Sequence, residues 1–392
     1  MSKKFETIPI ARTNLTEKDI NSVLEPLKSG WLVQGPYVKQ FENKWSSFTG
    51  SPFSLAVSSC TSGMHLAAVA LGLKAGDEVI VPAFSWISTA NIVEHQGAKP
   101  VFCDINKETF NIDEKKIESL ITSKTVGIIP VHLFGLASNM NKITSLAEKY
   151  KLWVIEDAAC GFGAKYNGEH VGFMGNAGVF SFHPRKAITT GEGGMVCTKD
   201  SKLASKIQQL RDHGAIKSDL QRHLGSKPYL LSDHIYAGYN QRMTDIQAAL
   251  GASQMDRADD IIFERRKIAN NYDKAFNKID ILQKPYSNEI YHHGYQSYPC
   301  MIKLDKDPIL INKIRNEWME KLQDEGISTR PATHAIHMLS FYQKKYSLRP
   351  KDFPNAYLAN DCSISLPLFH GMTENEQNRV IDVVTNSVKD IS

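Results

Sequence analysis

The sequence predicts an α/β protein, a mostly parallel central sheet flanked by helices on both faces, followed by a smaller C-terminal α+β region. Three observations carry this. Between about residues 50 and 200, short apolar runs rich in β-branched residues alternate with amphipathic stretches. Glycines and small hydroxyl residues gather just after several of these runs, where open α/β sheets bind ligands. From about residue 245 the alternation gives way to a long helical pattern.

The strand-like runs are EVIVP (78–82), KPVFCDI (99–105), VGIIPVHLFG (126–135), LWVIED (152–157) and GVFSF (178–182). Between them lie stretches with helical spacing, among them MHLAAVALGL (64–73) and MNKITSLAEKY (140–150). Such an alternation argues for βαβ units whose sheet is covered on both faces. Beyond it, residues 244–276 read as one long helix. Next come an alternating segment, GYQSYPCMIKL (294–304), and a helix, LINKIRNEWMEKLQDEG (310–326), closed by its glycine. The expected division is a large domain over 1–250 and a small one over 251–392.

Composition narrows the function. In 392 residues, 42% hydrophobic and 22% charged, the net charge is only +4, with lysines scattered among acids. That balance argues against nucleic acid or an anionic membrane as partner. The six cysteines form no CxxC pair and read as reduced thiols, which points to the cytoplasm. MSKKFETIPIARTNL lacks the apolar stretch of a signal peptide, and no apolar run reaches the about 18 residues a bilayer needs.

Four stretches fall where the architecture places chemistry. SSCTSGMH (58–65) sets hydroxyls and a glycine at a helix start, a phosphate site or a plain helix cap. VIEDAACGFGA (154–164) ends a buried strand on Asp157, a carboxylate that needs a cationic partner or caps a helix. SFHPRKAITTGEGG (181–194) places Lys186 between a strand and Gly191, Gly193 and Gly194, residues that permit close backbone approach. A lysine partly desolvated in such a place titrates lower and forms Schiff bases near neutral pH. GYNQRMTDIQAALG (238–251) opens a helix with Asn240 and Arg242, which reach an anion or serve as capping residues.

These stretches together with SWISTAN (85–91), all in order, resemble the DegT/DnrJ/EryC1/StrS family of sugar aminotransferases, fold type I enzymes that use pyridoxal 5'-phosphate (PLP). The resemblance runs from WLVQGPYVKQFE (31–42) to SLPLF (365–369). It implies that Lys186 carries PLP as a Schiff base and moves the proton, and that Asp157 pairs with the ring nitrogen. Trp86 would stack on the ring, and Cys60, Thr61 and Ser181 would hold the phosphate. Asn240 would reach that phosphate from the partner subunit of a homodimer with shared sites. One position departs from the pattern: Cys160 stands where many relatives carry Gln or His near the cofactor's phenolic oxygen, and a thiol is a weak donor.

The implied reaction moves an amino group from L-glutamate to a keto or aldehyde sugar, most often a nucleotide-linked 4-keto-6-deoxyhexose, for surface polysaccharide or lipopolysaccharide biosynthesis. A free sugar acid such as an 8-oxo-3-deoxy-octulosonate is the alternative acceptor, with Arg330 for its carboxylate. Ketosugar dehydration is less expected, because relatives of that kind replace the lysine by histidine and His183 lies three residues too early. His334 and His337 read as polar residues near a substrate pocket rather than metal ligands, and His292 and His293 as loop residues.

Overall fold

The structure, a computed structural model, describes residues 6–391, so Lys3 and Lys4 of the N-terminal reading lie outside it. The five predicted runs form the strands Glu78–Pro82, Lys99–Cys103, Thr125–Ile128, Trp153–Asp157 and Ala177–Ser181. With Phe53–Val57 and Gly194–Thr198 they make one seven-stranded sheet. Its order, by first residue, is 53, 194, 177, 153, 125, 78 and 99. Every pairing is parallel except the two made by Gly194–Thr198.

Side-chain alternation explains the layers. Val79 and Val81 enter one apolar cluster, while Ile80 enters the other. Val196 and its neighbours Met195 and Cys197 divide in the same way. A strand buried on both faces needs no polar side, which is why EVIVP reads as a continuous apolar run.

Because Gly194–Thr198 runs against both neighbours, its first residue lies at the same edge as the carboxyl ends of the others. Val57 pairs with Gly194 and Gly194 with Ser181, while Asp157 pairs with Val179 in the adjacent row. The stretches expected to bind a cofactor therefore converge on one edge. Gly194 is required there: a Cβ would lie 2.6 Å from the carbonyl carbon of Ser59 and 2.7 Å from the nitrogen of Cys60.

The expected single helix over 244–276 is two, Asp245–Met255 and Ala258–Ala275. Arg257 leaves helical geometry between them (φ −124°, ψ 24°) and reaches back to the Asp19 carboxylate and the Asn14 carbonyl. That tertiary anchor overrides the local pattern. Beyond it, Leu282–Gln283, Tyr298–Ile302 and Ser363–Leu366 form a three-stranded antiparallel sheet with helices Pro308–Asp324 and Pro354–Cys362. From this C-terminal part His334–Ala335 returns to pair with Phe84–Ser85 beside the main sheet's edge. Among the described residues no helix is long and apolar enough to cross a membrane.

Candidate active site

Asp157 closes its strand with only 3% of its surface exposed. Thr89 Oγ1 donates to its Oδ2 at 2.6 Å and the Ala159 N–H to its Oδ1 at 3.1 Å. No ion pair is made by this carboxylate among the described residues. Burial pushes its pKa up, and the two hydrogen bonds and the charge of Lys186 offset this only in part. Its neighbour Glu156 is the contrast. Burial pushes it up as well, but His132 at 2.8 Å and the N–H groups of Gly172 and Gly175 bring it below the usual range. Glu156 is a satisfied structural charge; Asp157 lacks a cation.

Lys186 sits in the loop joining Ala177–Ser181 to Gly194–Thr198 and is half-buried. Its Nζ lies 3.2 Å from Cys160 Sγ. The loop is held from two directions. Gln296 accepts from the Ala187 N–H and donates to the Arg185 carbonyl, while Gln254 bonds both the N–H and the carbonyl of Thr189. Inside the loop, Lys186 N–H donates to the His183 carbonyl and Thr190 N–H to the Phe182 carbonyl. Such bracing fixes the lysine backbone, which matters for a group that must meet reacting atoms at bonding distance.

The helix Cys60–Ala70 begins at this edge, with Ser59 capping the Ser62 N–H at 3.0 Å. Among the described residues the N–H groups of Cys60 and Thr61 have no acceptor, so the helix start presents free donors. The Cys60 thiol is turned into the core against the Val179 carbonyl, so this residue offers its backbone rather than its side chain. Ser181 ends its strand half-buried, its Oγ accepting weakly from the His183 N–H at 3.4 Å. Trp86 follows the buried Phe84–Ser85 strand yet is 60% exposed, an apolar ring with no cover. A carboxylate without a cation, an uncovered aromatic face, free donors at a helix start and a braced lysine fit a phosphorylated cationic ring such as PLP.

The predicted substrate residues divide. His334 stands exposed beside Trp86, ring centroids 5.8 Å apart. Arg330 is half-buried with its Nε unpartnered; burial, then the charge of Arg185, lower its pKa, and Cys160 acts the other way. Arg242 is already engaged by the Asp212 carboxylate, so its charge is not free for an anion. Asn240 is exposed, in a backbone bridge to Asp212. His337 is buried against Phe353, away from the exposed His334, and no cluster of metal ligands exists among the described residues. His292, expected in a loop, lies in the short strand Tyr291–His292, while His293 does follow it in a loop, buried and stacked on Tyr295 at 4.0 Å. Residue reading missed Thr89, Gln254 and Gln296; SWISTAN contains Thr89, but nothing local marks it as the partner of Asp157.

A separate cavity of about 730 Å³, lined by Val38, Glu42, Leu55, Arg211 and Gln221, contains none of these groups. Near it the segment 216–236 exposes Leu224, Tyr229, Leu230, Leu231 and Ile235 to solvent, with Leu24 and Leu27 of an early helix also exposed.

Comparison with known proteins agrees with this geometry. A model of the DegT/DnrJ/EryC1/StrS aminotransferase family matches residues 13–385. The chain is 40% identical over 384 residues to an uncharacterized protein of Methanocaldococcus jannaschii, covering 98% of this chain and 97% of that one. It is 37% identical over 392 residues to the spore coat polysaccharide biosynthesis protein SpsC of Bacillus subtilis, covering 99% of each. Among solved structures, the putative sugar aminotransferase Spr1654 of Streptococcus pneumoniae in its PLP form superposes with a TM-score of 0.90 at 27% identity, covering 98% of this chain and 100% of that one. PseC of Helicobacter pylori, an aminotransferase involved in the biosynthesis of pseudoaminic acid, gives the same TM-score, identity and coverage: 0.90, 27%, 98% and 100%.

Proposed function

The chain belongs to the DegT/DnrJ/EryC1/StrS aminotransferase family, and from that premise we propose that it moves the amino group of L-glutamate to the carbonyl of a nucleotide-linked 4-keto-6-deoxyhexose. That it is a PLP-dependent sugar aminotransferase follows from the family and from its solved neighbours. The donor, the acceptor and the residue roles below are our reading. The observation that carries it is the convergence of a braced Lys186 and an unpaired, buried Asp157 on one sheet edge.

Bound PLP supplies a carbonyl that takes up the amino group and a protonated ring that draws electron density from the carbon losing its proton. Asp157 would keep a proton on the ring nitrogen, a role that suits a buried carboxylate with no cation beside it. Lys186 Nζ would take the proton from the donor's α-carbon and deliver it to the carbon on the far side of the transferred nitrogen. The N–H groups of Cys60 and Thr61 and the Ser181 hydroxyl would hold the phosphate, and Trp86 would cover the ring. Arg330 and His334 face the substrate side; Arg330, with an unpartnered Nε and a second arginine near it, suits an anionic substrate. Asn240, exposed here, completes the phosphate site of the partner subunit in a homodimer. The exposed apolar side chains of segment 216–236 support that assembly, since a monomer would leave Leu224, Tyr229, Leu230 and Leu231 in water.

The test is turnover of glutamate with a panel of UDP-, GDP- and dTDP-4-keto-6-deoxyhexoses, 3-keto analogues and an 8-oxo-octulosonate, products read by mass spectrometry. Exchange of a carbonyl for an amine on a nucleotide sugar supports the proposal. Amination of the octulosonate alone moves the substrate to a free sugar acid, and loss of water without nitrogen gain replaces transamination by dehydration. Borohydride reduction followed by peptide mapping should fix the cofactor to Lys186; a label on Lys165 instead would refute the lysine assignment.

A further inference from the structure

Cys160 differs from the other five cysteines in one respect: it alone is not buried. Cys60, Cys103, Cys197, Cys300 and Cys362 are enclosed, and burial raises the pKa of each, which makes them poor nucleophiles. The Cys160 sulfur meets Lys186 Nζ at 3.2 Å, and Arg265 and Arg330 also lie within its electrostatic reach. Arg265 is buried and bonded only to the carbonyls of Tyr295, Gln296 and Leu368 among the described residues, so no carboxylate neutralises it. The contact sets the one unburied sulfur directly against an amine, and as a thiolate such a sulfur reacts with peroxides.

We propose that Cys160 and Lys186 form a reversible oxidative lock on the cofactor-free protein, an S–N bond made after attack by a hydroperoxide. In the first step the Cys160 thiolate attacks one oxygen of hydrogen peroxide. The S–O bond forms, the O–O bond breaks, and hydroxide leaves and takes a proton to become water; the sulfur is oxidised by two electrons to a sulfenic acid. In the second step Lys186 Nζ, its extra proton taken by the departing hydroxide, attacks that sulfur. The S–N bond forms, the S–O bond breaks, and the oxygen departs with one amine proton and its own as water. A thiol reverses the link: it attacks the sulfur and releases the amine, and a second thiol frees Cys160 as the pair becomes a disulfide. The short distance makes Lys186 the first nucleophile the sulfenic acid meets, ahead of further oxidation.

The consequence rests on the reading of Lys186 as the cofactor-bearing lysine: a capped amine cannot take up PLP, and bound PLP withdraws the amine from Cys160. The link itself does not depend on that reading. The full-length chain, with and without PLP, is exposed to hydrogen peroxide, digested and mapped by mass spectrometry, and PLP uptake is followed by absorbance. The expected result is a joined Cys160–Lys186 peptide pair two hydrogens lighter than the sum, formed only without PLP and dissolved by dithiothreitol. Uptake of PLP should be lost after peroxide and restored by the thiol, while in Cys160→Ser and Cys160→Ala whatever uptake there is before peroxide should be the same after it. Sulfinic acid or an unmodified thiol at Cys160, with no joined peptide, overturns the lock. A joined peptide with unimpaired PLP uptake keeps the bond and overturns the lysine assignment.

Discussion

Replacing Thr89 by valine removes the hydroxyl that donates to the buried carboxylate of Asp157. Thr89 Oγ1 donates to Asp157 Oδ2 at 2.6 Å in a place where the carboxylate is 3% exposed. A hydrogen bond to a charged group contributes about 1.5–3 kcal/mol. At about 1.36 kcal/mol per tenfold, the loss makes the Asp157 carboxylate about ten- to a hundredfold easier to protonate. The sign follows from the charge: the hydroxyl stabilises the ionised form, and without it the carboxylate takes a proton at higher pH, adding to the upward push of burial. The acid limb of the rate of amino-group uptake from glutamate should therefore move to higher pH by that factor in proton concentration. Thr89→Ser, which keeps the donor, should retain the parent profile. Single-turnover absorbance of the PLP-loaded protein across pH measures this, with a thermal melt to establish that the variant is folded. Superposable acid limbs for the valine variant and the parent would refute the role given to Asp157.

Three other predictions concern fold and assembly. His170 is buried, with Nε2 accepting from the Gly163 N–H and Nδ1 bonded to the Val171 carbonyl, and burial pushes its pKa down to about 4. The unfolded chain takes that proton near 6.5 and the folded one only near 4, so its contribution is complete above pH 6.5 and is lost as pH falls toward 4. The loss amounts to about 3 kcal/mol; urea titrations of the parent and of His170→Asn should show a shallower acid slope in the variant. Gly194→Ala drives a Cβ to 2.6 Å from the Ser59 backbone, so it should cost about 1–3 kcal/mol and weaken PLP retention, both read by melting with and without PLP. Leu230→Asp together with Leu231→Asp, the latter residue 89% exposed in the single chain, should give monomers by sedimentation and lower PLP affinity; dimers with full activity contradict the interface.

The local pattern of the chain determined the strand set, the helices on both faces, and the ends at which chemistry would lie. Alternation of β-branched runs with helical spacing is a short-range signal, and a residue just past such a run, like Asp157, has its place in an α/β sheet almost without knowledge of the partners. The positions of Lys186 and Asp157 at the sheet edge were legible for that reason. What only the tertiary structure decided is which distant groups meet. Thr89 reaches Asp157 across 68 residues, and Gln296 reaches the Lys186 loop across 109. Arg242 is taken by Asp212, the helix over 244–276 breaks where Arg257 finds Asp19, and Cys160 comes to the lysine. Such pairings depend on strand order, on the direction of the one antiparallel strand and on side-chain rotamers. Those are set when the whole sheet closes and buried polar groups must find partners, a requirement that acts through space rather than along the chain.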